Sequence, residues 1–190
     1  MKKIKNILFS ILGIIAGLLF VFLANDIYQE NERVQKIKGV DAKVIAQLQK
    51  IRIAQKAYLS VKNKYCNSWD SLNTFILHEE FVIEQIKETI EQVGGKEKIV
   101  IQRDTLSSVS VYDSLQNSLG YANTAGVSQL WRVPVSDTIF TIRADKMANG
   151  QKICEVRDPA PLNPKRQKKG DLKPLQIGSL EISTLSGNWE

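Results

Sequence analysis

Histidine, cysteine and proline are scarce in this chain, and the first two scarcities close off whole classes of chemistry. The single histidine among 190 residues, His78, leaves any nucleophile–base–acid set without its usual base. Flanked by Leu77 and Glu79, it reads as a surface or partly packed side chain. The two cysteines, Cys66 and Cys154, do not form a Cys-x-x-Cys redox motif. With one histidine they are also too few for a zinc site. Gly94-Gly95 has no phosphate-loop continuation. Adjacent acids such as Glu79-Glu80 do not share one direction on a helix. No catalytic residue, metal site or cofactor is therefore expected, and the chain reads as non-enzymatic.

Strong positive charge is missing too, despite a formal net charge of +6. Three of the 26 Lys and Arg residues, Lys2, Lys3 and Lys5, lie before residue 7, which leaves 23 against 20 Asp and Glu. An excess of 3 is too mild for a nucleic-acid surface. One basic cluster stands out, Lys165, Arg166, Lys168, Lys169 and Lys173. Pro159, Pro161, Pro164, Gly170 and Pro174 surround it, so it reads as an exposed loop with candidate partner contacts.

Charge is absent altogether from Ile7 to Ala24, an almost wholly apolar run of 18 residues interrupted only by the small Ser10. A stretch of that length is read as a membrane-spanning helix. A cleavable signal peptide has a shorter apolar core, of roughly 7–15 residues, and small residues before the cut. Here a cut after Ala24 would place the large Phe22 two residues upstream, so an uncleaved anchor is the expectation. Gly13 and Gly17 have the four-residue spacing that lets two membrane helices approach, though glycines are common in such helices.

The flanks give an orientation. Lys2, Lys3 and Lys5 precede the span, whereas Asn25 to Val34 hold only Arg33 against Asp26, Glu30 and Glu32. The positive-inside rule keeps residues 1–6 in the cytoplasm and sends the rest outward. In a bacterial envelope this is an inner-membrane protein with its bulk in the periplasm. The expected parts are a cytoplasmic tail (1–6), a transmembrane helix (7–24), a polar helical stalk (25–43) and an outer domain (44–190).

Past the span, the chain reads as one long helix to about Asn63. Val44, Leu48, Ile51, Tyr58 and Val61 or Lys62 recur at three- and four-residue steps, with Gln55 as a polar interruption in the stripe. Gly39 is a candidate kink. Ser68 is a suitable N-cap for a short helix carrying Leu72, Phe75 and Ile76. A further helix is expected over Glu80–Gln92, from the steps between Val82, Ile83, Ile86 and Ile90, ended by Gly94-Gly95. Short strands are expected at Lys98–Gln102, Val109–Tyr112, Leu130–Val135, Thr138–Arg143, Gln151–Arg157 and Gln176–Ile182. Pro134 marks an edge, Ser136-Asp137 a turn, and Asn149-Gly150 a hairpin. The fold class is thus α+β, a long N-terminal helix followed by short helices and an antiparallel sheet.

If the outer domain faces an oxidising compartment, a disulfide between Cys66 and Cys154 is permitted. It would close a loop of about ninety residues, worth about 4–5 kcal/mol in the chain-entropy account if unstrained. Two buried free thiols are the alternative, since reach cannot be read from sequence. Trp69, Trp131 and Trp189 are scattered and read as packing residues.

The junction segment Ala54-Gln55-Lys56-Ala57-Tyr58, Asn63-Lys64-Tyr65 and Ser68-Trp69-Asp70-Ser71-Leu72 resembles type IV pilins and type II pseudopilins. In those families an alanine-rich helix with a tyrosine ends at an Asn-Gly-x-Tyr-Pro turn, and a Ser-x-x-x-Leu helix start follows. The resemblance implies that Leu48, Ile51, Tyr58 and Tyr65 pack the helix against the sheet. It does not extend to the start of the chain, which lacks the glycine before a Phe or Met cleavage site and the glutamate five residues into the mature helix. As a whole the chain resembles a family of single-pass envelope proteins widespread in Bacteroidota. Ile51-Arg52-x-Ala54-Gln55-x-Ala57-Tyr58 and the ending Ile177-Gly178-Ser179-Leu180 with Gly187-Asn188-Trp189-Glu190 carry that likeness. It implies a shared fold and membrane placement, and no particular activity.

The expected function is a structural or accessory subunit of a secretion or cell-surface machine. Its partners would be the lipid bilayer, other envelope proteins and copies of itself, and not nucleic acid. The alternative is a membrane-tethered module that binds a glycan or peptide through Lys165–Lys173 with Trp131 or Trp189.

Overall fold

The computed structural model describes residues 2–93, 96–120, 123–168 and 170–190, with side chains except at 2–11, 16 and 91–100. The chain is α+β, with a long N-terminal helix, short helices and antiparallel sheets. It divides into two units, one ending at Ala42 and one spanning Lys43–Glu190.

Helix α1 (Lys2–Lys62) is unbroken, and Gly39 lies within it. An isolated glycine lowers helix stability by about 1 kcal/mol relative to alanine without having to bend the axis. In the first unit the described apolar side chains from Leu12 to Leu23 are all exposed, Phe20 at 75 %. A helix that is apolar all round and packed on nothing is suited to a lipid rather than an aqueous surrounding. This helix is long and apolar enough to cross a membrane. Further along α1 come exposed ion pairs one turn apart, Glu30–Arg33 at 3.9 Å and Glu32–Lys36 at 3.8 Å, of the kind that adds only a few tenths of a kcal/mol each.

In the second unit α1 becomes one-sided. Val44, Leu48, Ile51, Ala54, Gln55 and Ala57 are buried, the repeat of a helix with one face on a core. The helix stops because Asn63 adopts the left-handed conformation (φ 55°), its N–H donating to the Leu59 carbonyl at 2.9 Å. Asparagine tolerates that conformation better than most residues. Helix α2 (Trp69–His78) follows, with Leu72, Phe75 and Ile76 buried.

The segment expected as a second helix is instead strand β1 (Glu80–Val93), paired antiparallel with β2 (Lys96–Ser110) from Glu80↔Ser110 to Val93↔Lys96. Val82, Ile86 and Ile90 are four apart, close to a helical turn but also an even number, which keeps them on one face of a strand. The β-branched content decides for the strand. Gly94-Gly95, expected to end a helix, lies outside the described residues. The two short strands expected at Lys98–Gln102 and Val109–Tyr112 are parts of β2, except that Val111 and Tyr112 open helix α3 (Val111–Leu119). Ser110 caps α3 by accepting from the Asp113 N–H, and Gly120 closes it in the left-handed conformation.

A one-turn helix α4 (Thr124–Val127) leads to Leu130–Val135, which is not the expected strand. Pro134 offers no N–H, and Val135 has φ 64°, so the chain turns there and only Arg132 bridges to Ile139. The second sheet has the order β3 (Thr141–Lys146), β4 (Lys152–Arg157), β5 (Gln176–Ser179), all antiparallel. Asn149-Gly150 does form the β3–β4 turn, with Gly150 at φ 86°. Gly178 (φ 71°) sits so close to β4 that a Cβ there would lie 2.0 Å from the Cys154 carbonyl oxygen.

Candidate functional site

Chemistry-bearing side chains gather where α1 ends. Gln55 is fully buried, and its amide binds the backbone of Cys66 twice. Nε2 donates to the Cys66 carbonyl at 2.9 Å, and Oε1 accepts from the Cys66 N–H at 3.0 Å. The polar break in the apolar stripe is thus the clamp that folds the following loop back onto the helix. A buried amide satisfied on both ends avoids the desolvation penalty of an unpaired polar group.

Around this clamp the Tyr58 ring meets Phe75 edge-on at 4.9 Å between centroids. Leu48 and Ile51 are buried as expected of packing residues, and Tyr58 and Tyr65 are half-buried. Asn63 Oδ1 accepts from Lys152 Nζ of β4, which ties the helix end to the sheet. Trp69 Nε1 donates to the Phe140 carbonyl at 2.8 Å.

An open cleft of about 500 Å³ lies here, lined by Tyr58, Lys64, Tyr65, Cys66, Lys146 and Lys152, among others. Cys66 and Cys154 are both free and both buried. Burial pushes the Cys154 thiol up to about 12, with the neighbouring Cys66 adding to the rise. Burial also raises the Cys66 thiol, opposed by hydrogen bonding at Ser68 and Tyr58. Nucleophilic sulfur is the thiolate, so both groups are poor nucleophiles at neutral pH. Among the described residues no cluster of His, Cys, Asp or Glu could hold a metal ion.

The basic loop is separate from this cleft. Lys165 and Arg166 form a short 3-10 turn (Pro164–Arg166) capped by Asn163. Arg166 Nη1 donates to the Lys173 carbonyl at 2.9 Å, so part of the cluster's donor capacity holds the loop itself. Lys168 is exposed, and Lys169 lies outside the described residues. A hollow of about 250 Å³ beside Arg166 and Lys168 is small for a glycan. Trp69 and Trp131 flank Phe140 through the Trp69 bond and the Phe140 N–H to Trp131 carbonyl bond. Trp189 lies over Gly187. His78 is exposed at the end of α2.

Two features differ from anything the sequence led one to expect. Arg52 Nη1 meets Glu190 Oε1 at 2.5 Å, which joins α1 to the last residue of the chain. That hydrogen bond, followed by other effects, holds the Glu190 carboxyl below its ordinary value. The second is a row of exposed apolar side chains on one side of the β1–β2 hairpin, where Val82 is 58 %, Ile86 56 %, Ile90 64 % and Ile101 54 % exposed, interspersed with Glu84, Glu88 and Arg103. An even-numbered spacing of Val82, Ile86 and Ile90 was the available signal for it. No family model matches the chain, and neither a curated protein nor a solved structure matches it.

Proposed function

We propose that this chain is a non-enzymatic, single-pass inner-membrane protein with a pilin-like outer domain in the periplasm. It would act as a structural or accessory subunit of a cell-envelope secretion or surface machine, docking to neighbouring copies of itself. The apolar first part of α1 supports the anchor. The observation that carries the docking role is the β1–β2 hairpin.

A two-stranded hairpin alone is at best marginally stable in water, and each of its strands leaves one edge of N–H and C=O groups open to a further strand. Directly paired residues point to one side of the sheet. Val82, Ile86 and Ile90 therefore share a side with Ile101 of β2, the partner of Glu88. The two edges differ in charge. Strand β1 contains Glu80, Glu84, Glu88 and Glu91 against Lys87, whereas β2 contains Lys96, Lys98 and Arg103 against Glu97 and Asp104. Strand β1 of one copy beside β2 of the next brings opposite net charges together and extends the apolar row, a case of strand addition.

The test is the mass of the detergent-solubilised full chain by light scattering across concentration. Oligomers are expected for the natural chain. The double substitution Ile86→Glu, Ile90→Glu should give monomers without altering the unfolding temperature, because both side chains are exposed. A natural chain that stays monomeric at every concentration contradicts this reading. The cleft favours a second reading, a tethered module for an anionic ligand held by Lys64 and Lys146. Charge reversal at those two lysines would abolish ligand binding and leave self-association intact.

A further inference from the structure

Cys66 and Cys154 are separated by most of the outer unit in sequence, yet the sheet brings them to one place. Residues directly paired across antiparallel strands share a side of the sheet, as do residues two apart on one strand. Ala144 pairs with Cys154, and Lys146 pairs with Lys152. Ala144, Lys146 and Lys152 all line the cleft that Cys66 lines. Asp145, on the opposite face, lines the cleft as well, so this end of the sheet as a whole adjoins Cys66, and Cys154 shares its face with Ala144, Lys146 and Lys152. Lys152, its neighbour on that face, reaches Asn63, three residues before Cys66. The position of Cys66 is fixed in turn by the two Gln55 bonds.

We propose that Cys66 and Cys154 join in a disulfide when the chain folds in an oxidising compartment, a step that rests on the exported placement of the outer unit. The contribution of Cys66 to the raised Cys154 pKa agrees with their proximity. The chemistry is thiol–disulfide exchange with an external disulfide as oxidant. The Cys66 thiol, at the rim of the cleft, loses its proton and attacks one sulfur of that disulfide, expelling a thiolate. Cys154 then loses its proton and displaces the second thiolate from the mixed disulfide. Two protein thiols are oxidised, and one external disulfide is reduced to two thiols. Complete burial of Cys154 and the suppressed ionisation of both thiols make attack slow in the finished fold, so the bridge forms as the chain folds.

The consequence is mechanical. The bridge would fasten the end of α1 covalently to β4, the central strand of its sheet. A pull along the anchored helix would then load the sheet directly rather than through the Gln55 and Asn63 hydrogen bonds alone.

The test uses the full chain in detergent, denatured and reduced, then refolded in a glutathione redox buffer and alkylated under denaturing conditions. Intact mass should show no alkyl adduct, and two adducts after prior reduction. The bridged form should melt about 10 °C above the reduced one, from the loop-closure term and the usual Tm response. The Cys66→Ser chain should carry one alkylatable thiol or one bound glutathione, and no bridge-dependent rise in Tm. Two adducts on the refolded natural chain would overturn the proposal wherever the protein resides. Bridging in the refolded chain, with two free thiols in chain taken directly from cells, would overturn the exported placement and with it the bridge in the cell.

Discussion

Replacing Gln55 by leucine isolates the clamp that joins the long helix to its following loop. Leucine matches glutamine closely in volume and helix propensity, so the helix itself should persist. What disappears is both hydrogen bonds to Cys66, at 2.9 and 3.0 Å, in a fully buried position. The Cys66 N–H and carbonyl are then left without partners, which costs about 1–3 kcal/mol each. Burying the leucine returns about 1.5–3 kcal/mol, so the net loss is about 1–3 kcal/mol. For a chain of this size that lowers the unfolding temperature by about 3–10 °C. Near-ultraviolet circular dichroism of the full chain in detergent reads this transition, because all three tryptophans lie within Lys43–Glu190. Gln55→Glu supplies a second signature. Burial raises a carboxyl pKa, so the charged variant is unstable at neutral pH. On acidification its neutral carboxyl regains a donor for the Cys66 carbonyl, and its deficit relative to the natural chain should shrink. A leucine variant as stable as the natural chain, or more so, would refute the clamp.

Two other perturbations follow from single contacts. Gly178→Ala should cost more than Gln55→Leu and leave little folded protein, because the added Cβ would lie 2.0 Å from the Cys154 carbonyl oxygen at a backbone angle (φ 71°) that disfavours alanine. Yield of monodisperse chain and its melting curve check this. The Arg52 hydrogen bond holds the Glu190 carboxyl below its ordinary value in the folded chain. Its contribution is therefore present above the unfolded value and is lost as pH falls through the lower folded one. The Tm difference between the natural chain and Glu190→Gln, measured from pH 7 downward, should vanish at the acid end and not at the neutral end.

What could be read from the sequence was what local spacing specifies. The buried stripe Val44, Leu48 and Ile51, the helix end at Asn63 and the Asn149-Gly150 turn each depend on neighbours within one helical turn or hairpin. The strand at Glu80–Val93 was misread because its apolar spacing of four satisfies a helix and one side of a strand alike. Helix α3 hid behind Val109, Val111 and Tyr112, residue types typical of strands, although Ser110, Asp113 and Gly120 mark its two ends. Contacts between distant segments left no local trace. Gln55 stood out as a polar residue in an apolar stripe, but its partner depends on a loop that folds back. The Arg52–Glu190 pair and the shared sheet face of Ala144 and Cys154 depend on the assembled tertiary structure.

In the proposed placement, α1 would hold the chain in a membrane with Lys43–Glu190 on the outer side. Protease added to intact spheroplasts, followed by alkaline extraction of the membranes, tests it most directly. The untreated chain should stay in the extracted membranes at full length, and added protease should remove its outer unit. A soluble form beginning near Asn25, or an outer unit degraded only after the cells are lysed, would contradict it.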